Sequence, residues 1–349
     1  MQHPAMKVVR LTAKIFQPTS HERARIAEHG LDVTECHDDD PAAMARAVAD
    51  ADVVATIGTP IPRLVVDALA AGKARAIARF GTGTDKIDVA RAAELGIVVC
   101  NTPFFCVEEM ADHVMAMVLH FNRQLAAAHR AMQDGDLAHA RRLVSLNNRM
   151  SHSTLGLIGF GRSAVHTARR ARGFGMRVLA TRSRPDAPRD EADALGVEMT
   201  DLDTVLRESD YVSLHVPLTP RTANIIDAAA LARMKPSAVL INTSRGKLVD
   251  EEAVHRALVE GRIAGAGIDT WGSLDIFVDR IEPPLTPLAA LDNTILSPHT
   301  AAHSVQARLD MIDAGIDNLL ALRAGLMPAR ETIVNPEARP RFPFRGQAS

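Results

Sequence analysis

Short apolar runs alternate with Ala-rich amphipathic stretches along the 349-residue chain. The runs have the composition of buried β-strands, and most of the stretches between them have that of helices. Such alternation indicates an α/β fold with largely parallel sheets. The candidate strands are Lys7–Leu11, Val53–Ile57, Ala76–Ala78, Leu155–Ile158, Arg177–Ala180, Tyr211–Leu214, Val239–Asn242 and Thr294–Leu296.

Two longer segments predict helices. Residues 108–132 contain neither Gly nor Pro and place apolar residues on one helical face, so we expect one long helix that leaves one domain for the next. A second helix, Val305–Arg323, precedes the stop signals Gly325 and Pro328. The last residues, 336–349, are rich in Pro and Arg and predict a loosely ordered tail.

The chain is long enough for two domains of ordinary size. A weak internal echo fits this: residues 51–57 resemble residues 209–215, each reading as a helix end, a buried strand and a Pro-containing loop. Two domains of related α/β plan would produce it, and so would chance similarity between Ala-rich segments.

Composition excludes several classes of function. A net charge of −2 and 3% aromatic residues do not favour nucleic-acid binding. Cys36, Cys100 and Cys106 form no CxxC pair and no Cys/His cluster, which predicts no metal site and fits reduced thiols in the cytoplasm. The N-terminus is too polar for a signal peptide, and no run of 18 apolar residues predicts a membrane span.

The motif Gly159-Phe160-Gly161-Arg162-Ser163-Ala164 follows an apolar strand and precedes a helix-compatible run. In this GxGxxA pattern the first Gly permits a tight turn and the second lets the backbone approach a pyrophosphate. The third small residue lets the helix pack close to the strand. The motif predicts a dinucleotide-binding loop; the alternative is a Gly-rich turn without a ligand.

The residues after the next strand bear on the type of dinucleotide. An NAD site usually carries Asp or Glu about 20 residues past the loop, where it bonds the ribose 2′-hydroxyl. Here that place holds Thr181-Arg182-Ser183-Arg184, with no carboxylate before Asp186. Guanidinium groups bind a 2′-phosphate well. The sequence therefore favours NADP(H), with NAD(H) possible; the alternative is two exposed arginines on a loop.

Three further residues suit hydride transfer to a ketone. That reaction needs an acid for the carbonyl oxygen, a cation for the substrate, and a carboxylate that keeps the acid protonated. Arg245 and His299 follow two candidate strands, at the edge where ligands of α/β sheets bind, and Glu282 lies between them. Each has an ordinary structural explanation when taken alone, but their order and their strand-end placement strengthen the joint case.

Several motifs together resemble the D-2-hydroxyacid dehydrogenase family, which includes glyoxylate/hydroxypyruvate reductases, 3-phosphoglycerate dehydrogenases and the C-terminal-binding protein corepressors. The resemblance covers residues 50 to 325 and is highly specific because it rests on separate motifs. These are Arg79–Asp88, Asn101-Thr-Pro103, Val107–His113, Gly159–Ala164, Arg245-Gly246, Gly265–Asp269 and Ser297-Pro-His299.

The resemblance implies two doubly wound parallel-sheet α/β domains. A Rossmann cofactor domain, residues 105–303, would be inserted in a flavodoxin-like substrate domain formed by residues 1–104 and 304–335. The resemblance also implies a homodimer that interconverts a small 2-oxo acid and its D-2-hydroxy acid.

Roles at matching positions are implied as well. Arg245 would bind the carboxylate and carbonyl of the substrate, His299 would be the general acid/base, Glu282 would pair with His299, and Asp269 would meet the nicotinamide amide. Substrate-binding residues would be Arg79, Gly81, Thr82 and Gly83, with the amides of the last two holding the carboxylate. Cofactor contacts are expected at Val107, Gly159, Phe160, Gly161, Arg162, Ser163, Thr181, Arg182, Ser183, Arg184, His215, Val216, Pro217, Thr222, Thr243, Ser244, Asp269 and Ala301.

The sequence departs from the family pattern in four places. Glu282 comes late and Asp275 lies nearer the usual spacing, so either carboxylate could pair with the catalytic His. Lys86 stands where Asn is usual, and Phe104-Phe105 and Ala301-Ala302 stand where Gly is common. The phenylalanines could favour a bulky substrate or only pack a hinge.

Two other functions share this scaffold. One is a dinucleotide-sensing interaction protein like the corepressors, which would not need the Arg245, Glu282 and His299 set. The other is oxidation of formate or phosphite. The sequence does not name the substrate.

Overall fold

The computed structural model describes residues 6–145, 147–184, 188–274, 281–283 and 285–344. The strands of this part of the chain are β1 Lys7–Leu11, β2 Asp32–Cys36, β3 Val53–Thr56, β4 Ala76–Arg79, β5 Val98–Cys100, β6 Thr154–Ile158, β7 Arg177–Ala180, β8 Glu198–Met199, β9 Tyr211–Leu214, β10 Val239–Asn242, β11 Gly265–Ile268 and β12 Thr294–Leu296. The α-helices are α1 Ser20–Glu28, α2 Pro41–Val48, α3 Arg63–Ala71, α4 Val89–Glu94, α5 Val107–Arg123, α6 Leu125–Gln133, α7 Leu137–Ser145, α8 Arg162–Gly173, α9 Asp190–Ala194, α10 Leu202–Glu208, α11 Ala228–Arg233, α12 Glu251–Val259 and α13 Val305–Arg323.

The chain divides into two units, one formed by residues up to 105 together with those from 304, the other by residues 106–303. In the first unit five parallel strands run in the order β2-β1-β3-β4-β5, the flavodoxin-like order. Apolar side chains of α2, α3 and α4 pack in one core, and those of α1 and α13 pack in another. The sheet is therefore doubly wound.

The second unit has seven parallel strands in the order β12-β11-β10-β9-β6-β7-β8. The order reverses at β6, as in a Rossmann sheet, with β12 as an added edge strand. Side chains of α5, α8 and α9 form one core and those of α10, α11 and α12 form the other. Its central strands β6, β9 and β10 are buried along their whole length and mostly apolar, as expected of a sheet covered on both faces.

The fold class predicted from the sequence is confirmed, and the predicted strands form. Four strands, β2, β5, β8 and β11, were missed by pattern reasoning because they are polar, very short or Gly-containing. The prediction of one long helix over residues 108–132 is wrong. The chain turns at Gln124, whose φ of 50° is left-handed, and this residue separates α5 from α6.

The prediction of a loosely ordered tail from residue 336 is also wrong for residues 336–344. Phe344 is buried in the core that α13 shares with β4, and the Arg341 amide donates to the Gly96 carbonyl over 2.9 Å. Contacts of this kind hold a segment whose composition favours disorder. Residues 345–349 lie outside the described residues.

Candidate active site

The glycine loop of the second unit is shaped to admit a ligand. Gly159 has a φ of +98°, and a Cβ there would lie 2.6 Å from the His215 carbonyl oxygen. At Gly161 no atom lies within 4 Å of the place a Cβ would take, so the approach to the backbone is open. Ala164 is fully buried where α8 packs on the sheet. The loop therefore fits the pyrophosphate of a dinucleotide, held by the amides that open α8.

A cation stands beside this loop at the end of β7. The guanidinium carbon of Arg182 lies 5.1 Å from the centre of the Phe160 ring, and the guanidinium also donates to the Pro188 carbonyl. The Thr181 hydroxyl accepts the Gly159 amide over 3.0 Å. Phe160, an expected cofactor contact in the loop, therefore also makes a cation–π contact with Arg182. Ser183 and Arg184 are exposed next to it, and Asp186 lies outside the described residues.

His215 closes the other side of the loop as a neutral residue. Its Nδ1 lies 3.1 Å from the Ser163 hydroxyl and its Nε2 lies 3.0 Å from the Ser213 hydroxyl. Burial lowers the pKa of His215 to about 4. A neutral imidazole offers one donor and one acceptor, which two hydroxyls satisfy. His215 therefore fixes the loop and brings no positive charge to a phosphate.

The turn that follows β9 contains three more of the predicted cofactor residues. The Thr222 hydroxyl donates to the Pro217 carbonyl over 2.7 Å and accepts the Thr219 amide over 2.8 Å. Val216 contacts the place that a Cβ of Gly159 would take. The turn is therefore tied together beside the glycine loop.

Three predicted residues sit at the carboxyl ends of adjacent strands. The last residues of β10, β11 and β12 are in register, so the segments after them leave the sheet at one edge. Arg245 and His299 each lie three residues past their strands, and Asp269 comes directly after β11. Ligands of open α/β sheets bind at this edge. The second unit thus brings a cation, a carboxylate and a histidine to the edge that carries the glycine loop.

Local bonds shape the segment around Arg245. The Arg245 guanidinium donates to the Ser244 carbonyl over 2.7 Å, and the Ser244 hydroxyl donates to the Leu214 carbonyl over 2.7 Å. A Cβ at Gly246 would overlap the backbone of Trp271, so only Gly fits after the arginine. The Thr243 hydroxyl is buried and has no hydrogen-bond partner among the residues that the structure describes. A buried hydroxyl without a partner, directly after β10 at the carboxyl edge of the sheet, is consistent with a bound ligand that would hydrogen-bond to it.

Asp269 organises the segment that bears the histidine. Its fully buried carboxylate accepts the Ser297 hydroxyl over 2.6 Å, the Thr300 amide over 2.9 Å and the Ala301 amide over 3.0 Å. Its carbonyl accepts the His299 amide over 2.8 Å. His299 itself has a φ of +59°, a left-handed conformation that costs free energy for a residue other than Gly. The hydrogen bonds to Asp269 therefore stabilise His299 in that conformation.

His113, on α5, is a site residue that sequence reasoning missed. Its Nε2 lies 3.1 Å from the Ser297 hydroxyl. Because Ser297 gives its proton to Asp269, it accepts from the imidazole N–H of His113. The sequence signal was only periodic: position 113 adjoins the buried helical positions Val114 and Met117.

The carboxylate partner of His299 stays a prediction. Glu282 is exposed in the short described stretch 281–283, and Asp275 lies outside the described residues. Among the residues described, no group of His, Cys, Asp and Glu side chains is placed to hold a metal ion. None of the helices described is long and apolar enough to cross a membrane.

The first unit carries the predicted substrate loop, residues 79–83, at the carboxyl end of β4. Its arginine turns inward: the Arg79 guanidinium donates to the carbonyls of Phe80 over 2.5 Å, Gly83 over 3.1 Å and Thr56 over 3.4 Å. Gly81 has a φ of +132°, which turns the chain tightly over the guanidinium. Arg79 is therefore engaged with the backbone of its own loop, and Thr82 is exposed above it.

Comparison with known proteins agrees with these observations. Residues 115–301 match the family model for the NAD-binding domain of D-isomer-specific 2-hydroxyacid dehydrogenases. The chain is 39% identical over 336 residues to a glyoxylate reductase of Korarchaeum cryptofilum, which covers 92% of this chain and 97% of that protein. It is 37% identical to a hydroxypyruvate reductase of Thermotoga maritima, over 70% of this chain and 77% of that one.

Two solved structures extend the comparison to cofactors. An acyclic imino acid reductase in complex with NADPH and D-Arg superposes with a TM-score of 0.81 at 27% identity, covering 94% of this chain and 99% of that one. A D-lactate dehydrogenase of Lactobacillus jensenii with NAD⁺ superposes with a TM-score of 0.76 at 28% identity over the same shares. Relatives of this fold thus bind either dinucleotide.

Proposed function

Because the chain belongs to the D-isomer-specific 2-hydroxyacid dehydrogenase family, an NAD(P)-dependent enzyme family, we propose that it reduces a small 2-oxo acid to the D-2-hydroxy acid with NADPH. Glyoxylate and hydroxypyruvate are the first candidates, since the similar proteins of known name are reductases of these acids. The observation that carries the proposal is the set of Arg245, Asp269 and His299 at adjacent strand ends.

Each of these residues has a defined part. Arg245 binds the carboxylate and polarises the carbonyl, and a charged hydrogen bond of this kind contributes on the order of 1.5–3 kcal/mol. His299 gives a proton to the carbonyl oxygen as hydride reaches the carbonyl carbon, so that the products are the hydroxy acid and oxidised cofactor. When bound, the nicotinamide supplies that hydride. Glu282 is the proposed partner that keeps His299 protonated before transfer.

The preference for NADPH rests on Arg182. Its guanidinium lies over the Phe160 ring beside the glycine loop, where a 2′-phosphate of a bound dinucleotide would accept charge-assisted bonds. The neighbouring Arg184 is exposed and adds to the positive charge. No carboxylate stands among residues 181–184 to repel the phosphate.

The test is a set of initial rates with NADPH and NADH on glyoxylate, hydroxypyruvate and a series of larger 2-oxo acids. We expect kcat/KM to be at least tenfold higher with NADPH, and Arg182→Ala to remove most of this preference. His299→Asn should lower kcat by about a hundredfold or more. A tenfold preference for NADH would contradict the cofactor proposal, and unchanged turnover would remove His299 from the reaction. Reduction of no 2-oxo acid would favour the dinucleotide-sensing alternative or formate and phosphite oxidation.

We also propose that the enzyme is a cytoplasmic homodimer joined through the second unit. Large apolar side chains are exposed on α6 and α7, two helices that pack against each other: Leu125, Met132, Leu137 and Val144. Exposed apolar surface of this kind is typical of protein interfaces. Cys36, Cys100 and Cys106, all among the described residues, form no disulfide bond, as expected in a reducing compartment. Sedimentation of Leu125→Asp and of the unchanged protein tests the dimer.

A further inference from the structure

The conformation of the substrate loop in the first unit is set by the two residues that follow β5. The Asn101 carboxamide donates to the Thr82 carbonyl over 2.7 Å, and the Thr102 amide donates to the Gly81 carbonyl over 3.3 Å. The Thr102 hydroxyl accepts the Gly81 amide over 2.6 Å. Thus two successive carbonyls of the loop are directed toward the same neighbouring segment.

The direction of these carbonyls also fixes the direction of the next amides in the loop. In a trans peptide the carbonyl of one residue and the N–H of the next point in opposite directions. Because the carbonyls of Gly81 and Thr82 point toward residues 101–102, the amides of Thr82 and Gly83 point away from them. Neither amide donates to an acceptor in the part of the chain described. Two successive outward N–H groups form an anion-binding concavity.

The two orienting residues are themselves held in place. Asn101 and Thr102 are 9% and 1% exposed, as expected for structural rather than ligand-contacting groups. The Asn101 amide donates to the Thr332 carbonyl over 2.8 Å, and its carbonyl accepts the carboxamide of Asn318, a buried residue of α13, over 3.0 Å. The orienting groups therefore rest on fixed elements of the same unit.

We propose that Asn101 and Thr102 are positioning residues that aim the Thr82 and Gly83 amides at the carboxylate of the substrate. The proposal rests on the function proposed above, and it adds why the loop presents donors. Without the Asn101 carboxamide the Thr82 carbonyl loses its donor, and the peptide between Thr82 and Gly83 is free to turn. Anion binding should then weaken while the chemistry at Arg245 and His299 is unchanged.

The experiment compares Asn101→Leu with Asn335→Leu in the full-length enzyme loaded with NADP⁺ or NADPH. Asn335 is a matched control because it is also a buried carboxamide, 2% exposed, which bonds the Val99 amide and the Ile97 carbonyl but not the loop. For Asn101→Leu we expect the KM for glyoxylate to rise about tenfold, with kcat within about threefold and the KM for NADPH unchanged. Asn335→Leu should lower the Tm without that selective change in KM.

A second pair of variants covers the case in which Asn101→Leu does not fold. Thr102→Val removes the hydroxyl that accepts the Gly81 amide and should raise the same KM. Thr102→Ser keeps the hydroxyl and should restore it. Equal KM values for Thr102→Val and Thr102→Ser would overturn the proposal, and so would an unchanged KM in folded Asn101→Leu.

Calorimetric titration with oxalate, a carboxylate probe that needs no turnover, separates this proposal from the proposed function. If the unchanged enzyme reduced none of the acids but bound oxalate about tenfold more tightly than Asn101→Leu, the positioning role would stand and the proposed reaction would fail. If Asn101→Leu and Asn335→Leu bound oxalate equally, the positioning role would fail whatever the reaction.

Discussion

Each unit has a loop of the candidate site at the carboxyl edge of its parallel sheet. Side chains bond mainly the carbonyls of the loop in the first unit and the amides of the loop in the second. In the first unit, donors from Arg79 and Asn101 bond the carbonyls of the substrate loop. In the second unit, the Asp269 carboxylate bonds the amides of Thr300 and Ala301, which follow His299, the proposed general acid. In the part of the chain described, the Thr82 and Gly83 amides of the first loop therefore donate to no acceptor, whereas the Thr300 and Ala301 amides of the second loop are bonded.

The difference follows from what each loop has to present. A loop that binds a carboxylate needs outward N–H groups, so its carbonyls must be bonded by donors, and a guanidinium beneath it adds positive charge. A loop that presents an imidazole needs only a fixed side-chain direction. A buried carboxylate can fix it through the amides, even in the left-handed conformation of His299. The charge placed under a strand-end loop thus indicates which chemistry the loop serves.

The strongest test of this contrast removes the Asp269 carboxylate, which accepts hydrogen bonds from the loop that bears His299 (the histidine loop). Asp269→Ala removes the acceptor of the Ser297 hydroxyl proton and of the Thr300 and Ala301 amides in a half-buried to buried place, and each buried donor left without an acceptor costs about 1–3 kcal/mol. We expect the largest loss of stability of any variant discussed. The near-isosteric Asp269→Asn keeps the volume but places an NH₂ against an amide N–H, and its kcat should fall by about a hundredfold. Denaturant unfolding and initial rates measure both effects.

Asp269→Glu serves as the control because it keeps the charge but shifts the oxygens. Its kcat should lie between those of the unchanged enzyme and Asp269→Asn. Full activity in folded Asp269→Asn would show that the loop holds His299 without the carboxylate, and the contrast between the two units would then be lost.

Acid should distinguish the units further, because the second unit buries a neutral histidine. The pKa of His215 is lowered to about 4 by burial, below its ordinary value of 6.5. The unfolded chain therefore takes up a proton between pH 6.5 and 4 that the folded chain does not. The free energy of unfolding should fall as pH decreases through this window, by on the order of 3 kcal/mol in all.

Urea unfolding at a series of pH values from 7 to 4.5 measures this slope. His215→Gln should flatten it, since Gln does not titrate, whereas His139→Gln, at an exposed position, should leave it unchanged. An equal slope in the His215 variant would mean that other groups account for the acid sensitivity.

The sequence predicts the fold and names the main candidate site residues, but it does not predict how those residues are hydrogen-bonded. Strands β6 and β10 are almost entirely apolar, so their hydrophobic composition alone predicts buried strands. The polar strand β2 forms because it pairs along its whole length with β1, and no local pattern encodes that pairing. The break at Gln124 was likewise invisible, because neither Gly nor Pro marks it.

The site shows the same limit. Arg245 and His299 could be named because they follow strands within family motifs. The contact of Arg79 with the Thr56 carbonyl and that of His113 with Ser297 join atoms that are distant in sequence. The spacing of one chain does not predict such contacts, since they depend on how elements pack.

A smaller effect is expected from the arginine beneath the substrate loop. Arg79→Lys keeps the charge but cannot bond the carbonyls of Phe80 and Gly83 together, because Lys lacks the planar fork of donors. The KM for glyoxylate should rise about five- to tenfold with little change in kcat. Arg91→Lys is the control: Arg91, in the same unit, bonds Asp67 and Glu94 away from the loop. A fall in kcat alone would place Arg79 in the chemical step and contradict its role under the loop.

The smallest effect should come from the outer end of the Asp269 network. His113→Leu removes the N–H that Ser297 accepts, a single half-buried hydrogen bond worth about 0.5–1.5 kcal/mol. Since Asp269 keeps its bonds to Thr300 and Ala301, we expect kcat to fall only about threefold, with both KM values unchanged. His120→Leu, on the same helix but against the Phe121 ring, is the control and should leave kcat unaltered. A hundredfold fall in the kcat of His113→Leu would instead mean that this imidazole takes part in proton transfer. The loop that bears His299 would then belong to a proton relay and would not only hold His299 in place.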